Sequence, residues 1–177
     1  MRTYLSFGFG LALVAYSGFA ADDVASAVIG TAKAVDKGTK TVVVKTADGT
    51  EHTFHFIGRT VAHGAEATAK GSKDAFDGMK EGDEVVVHYT AKGAMKTADE
   101  VDHVGKDGLK MTVVAVKSVD HAAKTVTVKT AEGGEEVYHF TDKAARETGK
   151  GLKTGGKVTI YYTEDAGKKI GHYFKEG

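Results

Sequence analysis

Apolar and polar residues alternate with a period of two over several stretches of this chain, the pattern of half-buried strands. In residues 41–46, Val42 and Val44 take one parity and Thr41, Val43 and Lys45 the other. The pattern then recurs as a copy. Residues 29–56, IGTAKAVDKGTKTVVVKTADGTEHTFHF, align without a gap to residues 113–140, VVAVKSVDHAAKTVTVKTAEGGEEVYHF, at an offset of 84, with 14 of 28 positions identical. Chance would give about two, so the chain contains an internal duplication.

The first copy predicts strands over residues 28–35, 41–46, 51–56, 83–89 and 96–104. Asp36-Lys37-Gly38-Thr39 is the first turn, and Asp48-Gly49 is a hairpin signal because both residues tolerate positive φ. Residues 58–80 read as weakly structured: Ala65, Ala67 and Ala69 favour helix, while Gly64, Gly71 and Gly78 interrupt it. The second copy predicts strands over 113–119, 125–130, 135–140, 157–163 and 168–174, with a short helix over 142–147 whose N-cap is Asp142. Its connection is shorter, so the offset drops from 84 to 73 after it. Val42, Val44, Phe54 and Phe56 become Val126, Val128, Tyr138 and Phe140; Val85, Val87 and Tyr89 become Val158, Ile160 and Tyr162. These persistent apolar parities are the predicted core.

Three strands, a helical or loop connection and two more strands is the order of an OB-like barrel, with an SH3-like barrel as the competing closure. The expected fold is therefore all-β with minor α: two tandem five-stranded OB-like barrels, residues 28–104 and 111–174, joined by a short linker at 105–110. In that topology strand three pairs with strand five and strand four with strand one, which separates His55 from His88 on the wall. Gly30 suits a strongly bent strand. Barrels joined so closely must touch or be held in a restricted relative orientation.

Gly30, Val35-Asp36, Thr41-Val42-Val43-Val44, Asp48-Gly49 and Lys80-Glu81-Gly82-Asp83-Glu84-Val85-Val86-Val87 together resemble a bacterial exported domain of unknown function. Its pattern is G-x-V-x-x-V-D followed by L-x-x-G-D-x-V-x-V. The resemblance spans most of residues 28–104 and is weaker over 111–174, where Val114 replaces the opening glycine and Gly156-Lys157 the G-D pair. It implies an OB-like barrel, often in tandem, in the cell envelope. It implies no catalytic residue.

The N-terminus changes the picture of where the chain works. Arg2 precedes an apolar run of 14 residues, Phe7 to Ala20, and Gly18-Phe19-Ala20 places small residues before a cut at Ala21. This is the layout of a signal peptide over residues 1–20. A membrane span wants about 20 apolar residues, so an uncleaved anchor is the lesser reading. The expected location is periplasmic or secreted, with no membrane insertion after cleavage. The chain is formally neutral and lacks cysteine and proline. Neutrality does not favour nucleic acid as a partner. The missing cysteine excludes disulfides, thiolate nucleophiles and thiolate metal ligands.

Candidate chemistry rests on eight histidines. His52 and His55 have odd spacing in a strand and turn to opposite faces. His63 and His103 are placed in or near loops. His55 recurs as His139, and Lys45 recurs as Lys129. These four residues, on the outer face of strands two and three, are the candidate ligand-binding set; an exposed position that has not drifted is the plainer account. Tyr161 and Phe174 are read as seating the contact between barrels. Asp99-Glu100-Asp102 and Glu135-Glu136 lack the alternating oxygen ligands of a calcium loop. No serine lies in a G-x-S-x-G elbow and no phosphate loop is present. The chain is expected to be a non-catalytic binding or scaffolding module for an envelope protein, glycan or small anion, not an enzyme and with no cofactor. The alternative is divalent metal binding by histidines near the groove between the barrels.

Overall fold

The computed structural model describes residues 24–64, 78–106 and 108–177. The expected signal peptide and most of the alanine-rich connection lie outside the described residues. The first unit comprises β1 (Val24–Asp36), β2 (Thr41–Lys45), β3 (Glu51–His63), β4 (Glu84–Lys92) and β5 (Met95–His103). They close in the order β1-β2-β3-β5-β4. The second comprises β6 (Lys110–Asp120), β7 (Thr125–Lys129), β8 (Glu135–Phe140), helix α1 (Asp142–Glu147), β9 (Lys157–Asp165) and β10 (Lys168–Glu176), closing as β6-β7-β8-β10-β9. In each ring the third and fifth strands run parallel and every other pair is antiparallel. The protein is thus two tandem closed five-stranded barrels with little helix.

The period-two apolar residues fill the two barrels as their parity requires. Val42, Val44, Phe54, Val85 and Val87 are fully buried in the first core. Val126, Val128, Tyr138, Val158 and Ile160 fill the second. Lysines of the outer faces pair across the sheet. Lys33 meets Glu51 and Lys117 meets Glu135, each at 2.5 Å, and both lysines lie where β1 and β6 bulge against β2 and β7.

Three local expectations are corrected. The N-cap of α1 is Thr141, whose extended backbone lets its Oγ1 accept from Ala144 N at 3.1 Å; Asp142 is already the first helical residue. The third strand runs past its expected end at residue 56 to His63, which places His63, like His103 at the end of β5, next to a loop. Phe174 belongs to the second barrel's core, edge to face on Phe140.

The contact between barrels has its own apolar seam. Val86, Leu109 and Tyr161 are buried there, with Ile29, Val104 and Tyr173 packed against them. Val86 points away from the core that holds Val85 and Val87, and is nevertheless fully buried because the other barrel covers it. The connecting turn is pinned by Leu109 N to His103 O (2.7 Å) and Gly105 N to Leu109 O (3.0 Å).

Gly30 carries a close approach. A Cβ there would stand 2.4 Å from the Lys45 carbonyl oxygen and 2.8 Å from Val44 Cγ1. The second barrel has Val114 at that position. Gly30→Val, although it copies the sister barrel, is expected to cost about 3 kcal/mol, read as a lowered urea midpoint at unchanged m-value.

Candidate functional site

The outer face of β4 and β5 would be a solvated surface in an isolated barrel. Val101 points into the core, so Glu100 and Asp102 point out. Val87 points in, so His88 points out, directly across from Glu100. The second barrel lies on this face. His88 and Asp102 are consequently fully buried.

Two irregularities bring further histidines to the same place. In β3 the residues between Phe56 and Val61 break register, with Thr60 Oγ1 donating to Ala98 O at 2.7 Å and accepting from Ile57 N at 3.0 Å. Pairing with β5 then resumes as Val61–Glu100, Ala62–Val101 and His63–Asp102. Ala62 enters the core and His63 turns outward onto Asp102. In β10 the register slips between Gly171 and Tyr173, leaving His172 as the extra residue of a β-bulge. The same slip occurs in β5 at Asp99, exactly 73 residues earlier. Asp99 accepts from Thr90 Oγ1 at 2.6 Å, and His172 Nε2 pairs with Thr163 Oγ1 at 3.0 Å. Thr90 and Thr163 are also 73 apart. The duplication thus kept the bulge and its threonine but exchanged the carboxylate for an imidazole.

The result is one cluster built from both barrels. His63 Nδ1 lies 2.7 Å from Asp102 Oδ1 and 3.6 Å from Glu100 Oε1. His172 Nδ1 lies 3.4 Å from Asp102 Oδ2 and 3.8 Å from Glu100 Oε1. His88 Nε2 lies 3.5 Å from Asp102 Oδ2, and its Nδ1 is 2.5 Å from Glu147 Oε2. Lys143, one turn before Glu147 on α1, pairs with Glu100. The two side chains share the helix face turned to the first barrel. Asp102 Oδ2, His88 Nε2 and His172 Nδ1 are buried without a hydrogen-bond partner. Donor atoms of His63, Glu100 and Asp102 all lie within 4.8 Å of one another.

Electrostatics follow from burial against pairing. Burial alone favours neutral imidazoles at His88 and His172. The carboxylates of Asp102 and Glu147 outweigh it at His88, and those of Asp102 and Glu100 at His172, raising each to about 9. The hydrogen bond to Asp102 raises His63. Burial would raise Asp102, but the surrounding imidazoles hold it well below the usual carboxylate range. His103, by contrast, is pushed down by burial, which Asp83 at 3.6 Å and the charge of Asp102 offset only in part.

The residues singled out from the duplication lie elsewhere. Lys45, His55 and Lys129 are exposed and His139 is half-buried. In the ladders Lys45 faces Glu51 and Lys129 faces Glu135, whereas His55 faces Thr41 and His139 faces Thr125 at the opposite strand end. No hydrogen bond or ion pair joins any two of the four. The cluster that does form uses histidines and carboxylates without counterparts: His88 corresponds to Tyr161, Glu100 to Tyr173 and Asp102 to Lys175. Non-recurrence was the available signal, since a site straddling two barrels cannot be present twice.

No helix among the described residues is long and apolar enough to cross a membrane. No family model matches the chain and no curated protein matches it, so the resemblance of its turn-and-strand motifs rests on those residues alone. Among solved structures, the chain is similar to one described as Ag(I)CusF, at a TM-score of 0.35 and 14% identity over 46% of this chain and 99% of that one; so distant a likeness says nothing about ligand or site here.

Proposed function

We propose that this protein is an exported, non-catalytic binding protein whose ligand is a divalent transition-metal ion, held in the seam between its barrels by His63, Glu100, Asp102 and His172, with His88 beside them. Export rests on the N-terminal sequence; the metal rests on one observation. Asp102 Oδ2 and His172 Nδ1 are both buried, both without a hydrogen-bond partner, and 3.4 Å apart. That spacing is long for a hydrogen bond. It matches two donors of a tetrahedral shell, since ligands about 2.1 Å from zinc stand about 3.4 Å from each other.

The supporting features are those of a metal site. Thr163 holds His172 through Nε2, which leaves Nδ1 directed at the carboxylates. His63 remains partly exposed and supplies an entry path. Lys143 is the cation that Glu100 holds in the metal-free protein, and a bound ion takes over that role. Imidazole with carboxylate, and no sulfur donor, suits zinc or copper(II) rather than copper(I).

In metal-free protein at pH 7.5, one equivalent of Zn2+ is expected to bind and to raise the melting temperature by mass action, by several degrees at a hundredfold excess over Kd. Binding must expel protons from the imidazoles, so it tightens between pH 6.5 and 9 and calorimetry records proton release. His63→Gln and His172→Gln are expected to weaken it by at least tenfold each. No thermal shift with 1 mM Zn2+ or Cu2+ would reduce the cluster to a buried ion-pair clamp.

A further inference from the structure

We infer that the mouth of the first barrel is a binding site for a small organic carboxylate, recruited by an ammonium group whose carboxylate partner the second barrel carries within itself and the first barrel lacks.

The duplication makes the comparison internal. In the second barrel Lys169 Nζ lies over the rings of Tyr138 (5.4 Å to the centroid) and Tyr162 (5.6 Å). It pairs with Glu136 Oε2 at 2.6 Å, and that oxygen also accepts from the Tyr138 hydroxyl at 2.9 Å. In the first barrel Lys96 Nζ lies over the corresponding rings of Phe54 (5.8 Å) and Tyr89 (5.5 Å). The platform is the same, but two substitutions strip it of neutralising groups. His52 stands where Glu136 does, and Phe54 has no hydroxyl. Lys96 Nζ donates to His52 Nδ1 at 2.5 Å. Burial first, and the charge of Lys96 second, push His52 below its ordinary range. A neutral ring accepts the hydrogen bond without discharging the ammonium.

Space for a ligand adjoins this pair. A cleft of about 400 Å³ opens beside His52, walled by Val28, Ile29, Ala47 and Tyr173, with Lys175 at its rim. Its counterpart of about 380 Å³ in the second barrel is lined by Glu136 together with Tyr138, Tyr162 and Lys169, whereas the first cleft reaches Lys96 only through the His52 ring that the ammonium contacts. Asp48 also borders the first cleft, but its carboxylate is turned into its own hairpin, accepting from Thr46 Oγ1 and from Thr50 N at 3.0 Å. An incoming carboxylate can therefore take on Lys96 the place that Glu136 takes on Lys169. Such charge-assisted contacts are roughly twice as strong as neutral ones, and the apolar walls suit a hydrocarbon body. Lys45 lines the adjoining cleft with Tyr161 and Lys175.

The test uses the full chain stripped of metal and then exchanged into buffer free of chelator and carboxylate, which makes it independent of the metal reading. Benzoate is titrated against protein carrying 13C-labelled lysine and histidine, with benzamide as the neutral isostere. Saturable shifts at Lys96 and His52 with benzoate, at least tenfold weaker with benzamide, are expected. His52→Glu, which rebuilds the second barrel's arrangement, should abolish them. Lys96→Gln should do the same and serves if the first variant fails to fold. Glu136→His should raise the stoichiometry to two. No saturable shift, equal response to benzamide, binding retained in the folded variants, or a single site in the protein carrying Glu136→His would each overturn the inference.

Discussion

Asp102→Ala is expected to cost about 3–5 kcal/mol of stability in metal-free protein, the usual penalty for removing one partner of a buried charge cluster. The carboxylate is fully buried and faces three imidazoles, one of them supplied by the other barrel. Without it, His88 and His172 retain Glu147 and Glu100, but lose the group that offsets burial for both. Two buried rings must then discharge or draw in water. Because His172 and Glu147 belong to the second barrel, part of the loss should fall on docking, not on either core. Urea unfolding in EDTA measures the total. Amide hydrogen exchange locates it, with protection lost first at Val86, Leu109 and Tyr161. Asp102→Asn, which preserves shape, should cost less than Asp102→Ala. A cost below 1 kcal/mol for the alanine variant would show that the cluster does not hold the barrels together.

The second large effect is alkaline. His88 and His172 titrate near 9 in the folded chain and near 6.5 when unfolded. A raised folded value stabilises fully below the unfolded value and is lost as pH climbs through the folded one. Metal-free protein should therefore lose stability between about pH 6.5 and 9, by on the order of 3 kcal/mol for either imidazole taken alone. The two share Asp102, so their contributions do not add. Asp102 works at the other end: its depressed value contributes above the unfolded range near 4 and is lost as acid protonates it. His103 and His52, both lowered, oppose the first trend by favouring unfolding as pH drops below about 6.5. The optimum therefore sits between the carboxylate and imidazole ranges. Urea midpoints across pH 4–10 give the profile, and Asp102→Asn should flatten its alkaline limb. A midpoint that does not fall between pH 6.5 and 9 would contradict charged imidazoles in the seam.

The barrels were legible because period-two patterning and duplication constrain the same residues. Val42 and Val126, or Val85 and Val158, are buried for one reason stated twice. The seam was only partly legible. The groove between unequal barrels was expected, but its donors were not. His63 reaches Asp102 because β3 breaks register at Ile57–Thr60 and resumes beyond, and no periodicity foretells that resumption. His172 faces the seam because a bulge inverts the parity that its neighbours suggest. Val86 carried a readable hint: three consecutive valines at 85–87 imply a strand covered on both faces. Duplication, so informative about cores, drew attention to His55 and His139 because they recur, whereas the seam cluster is built from residues that do not recur.

The turn between Gly105 and Leu109 has a consequence for how the seam assembles. Joined through a short pinned turn, the histidines and carboxylates of the two barrels meet at an effective concentration set by the length of that tether and not by the abundance of the protein. Two copies of a single barrel would have to find each other by diffusion, and identical partners would bring aspartate to both bulges. Fusion followed by divergence makes a heterotypic encounter unimolecular, so assembly of the seam is insensitive to dilution.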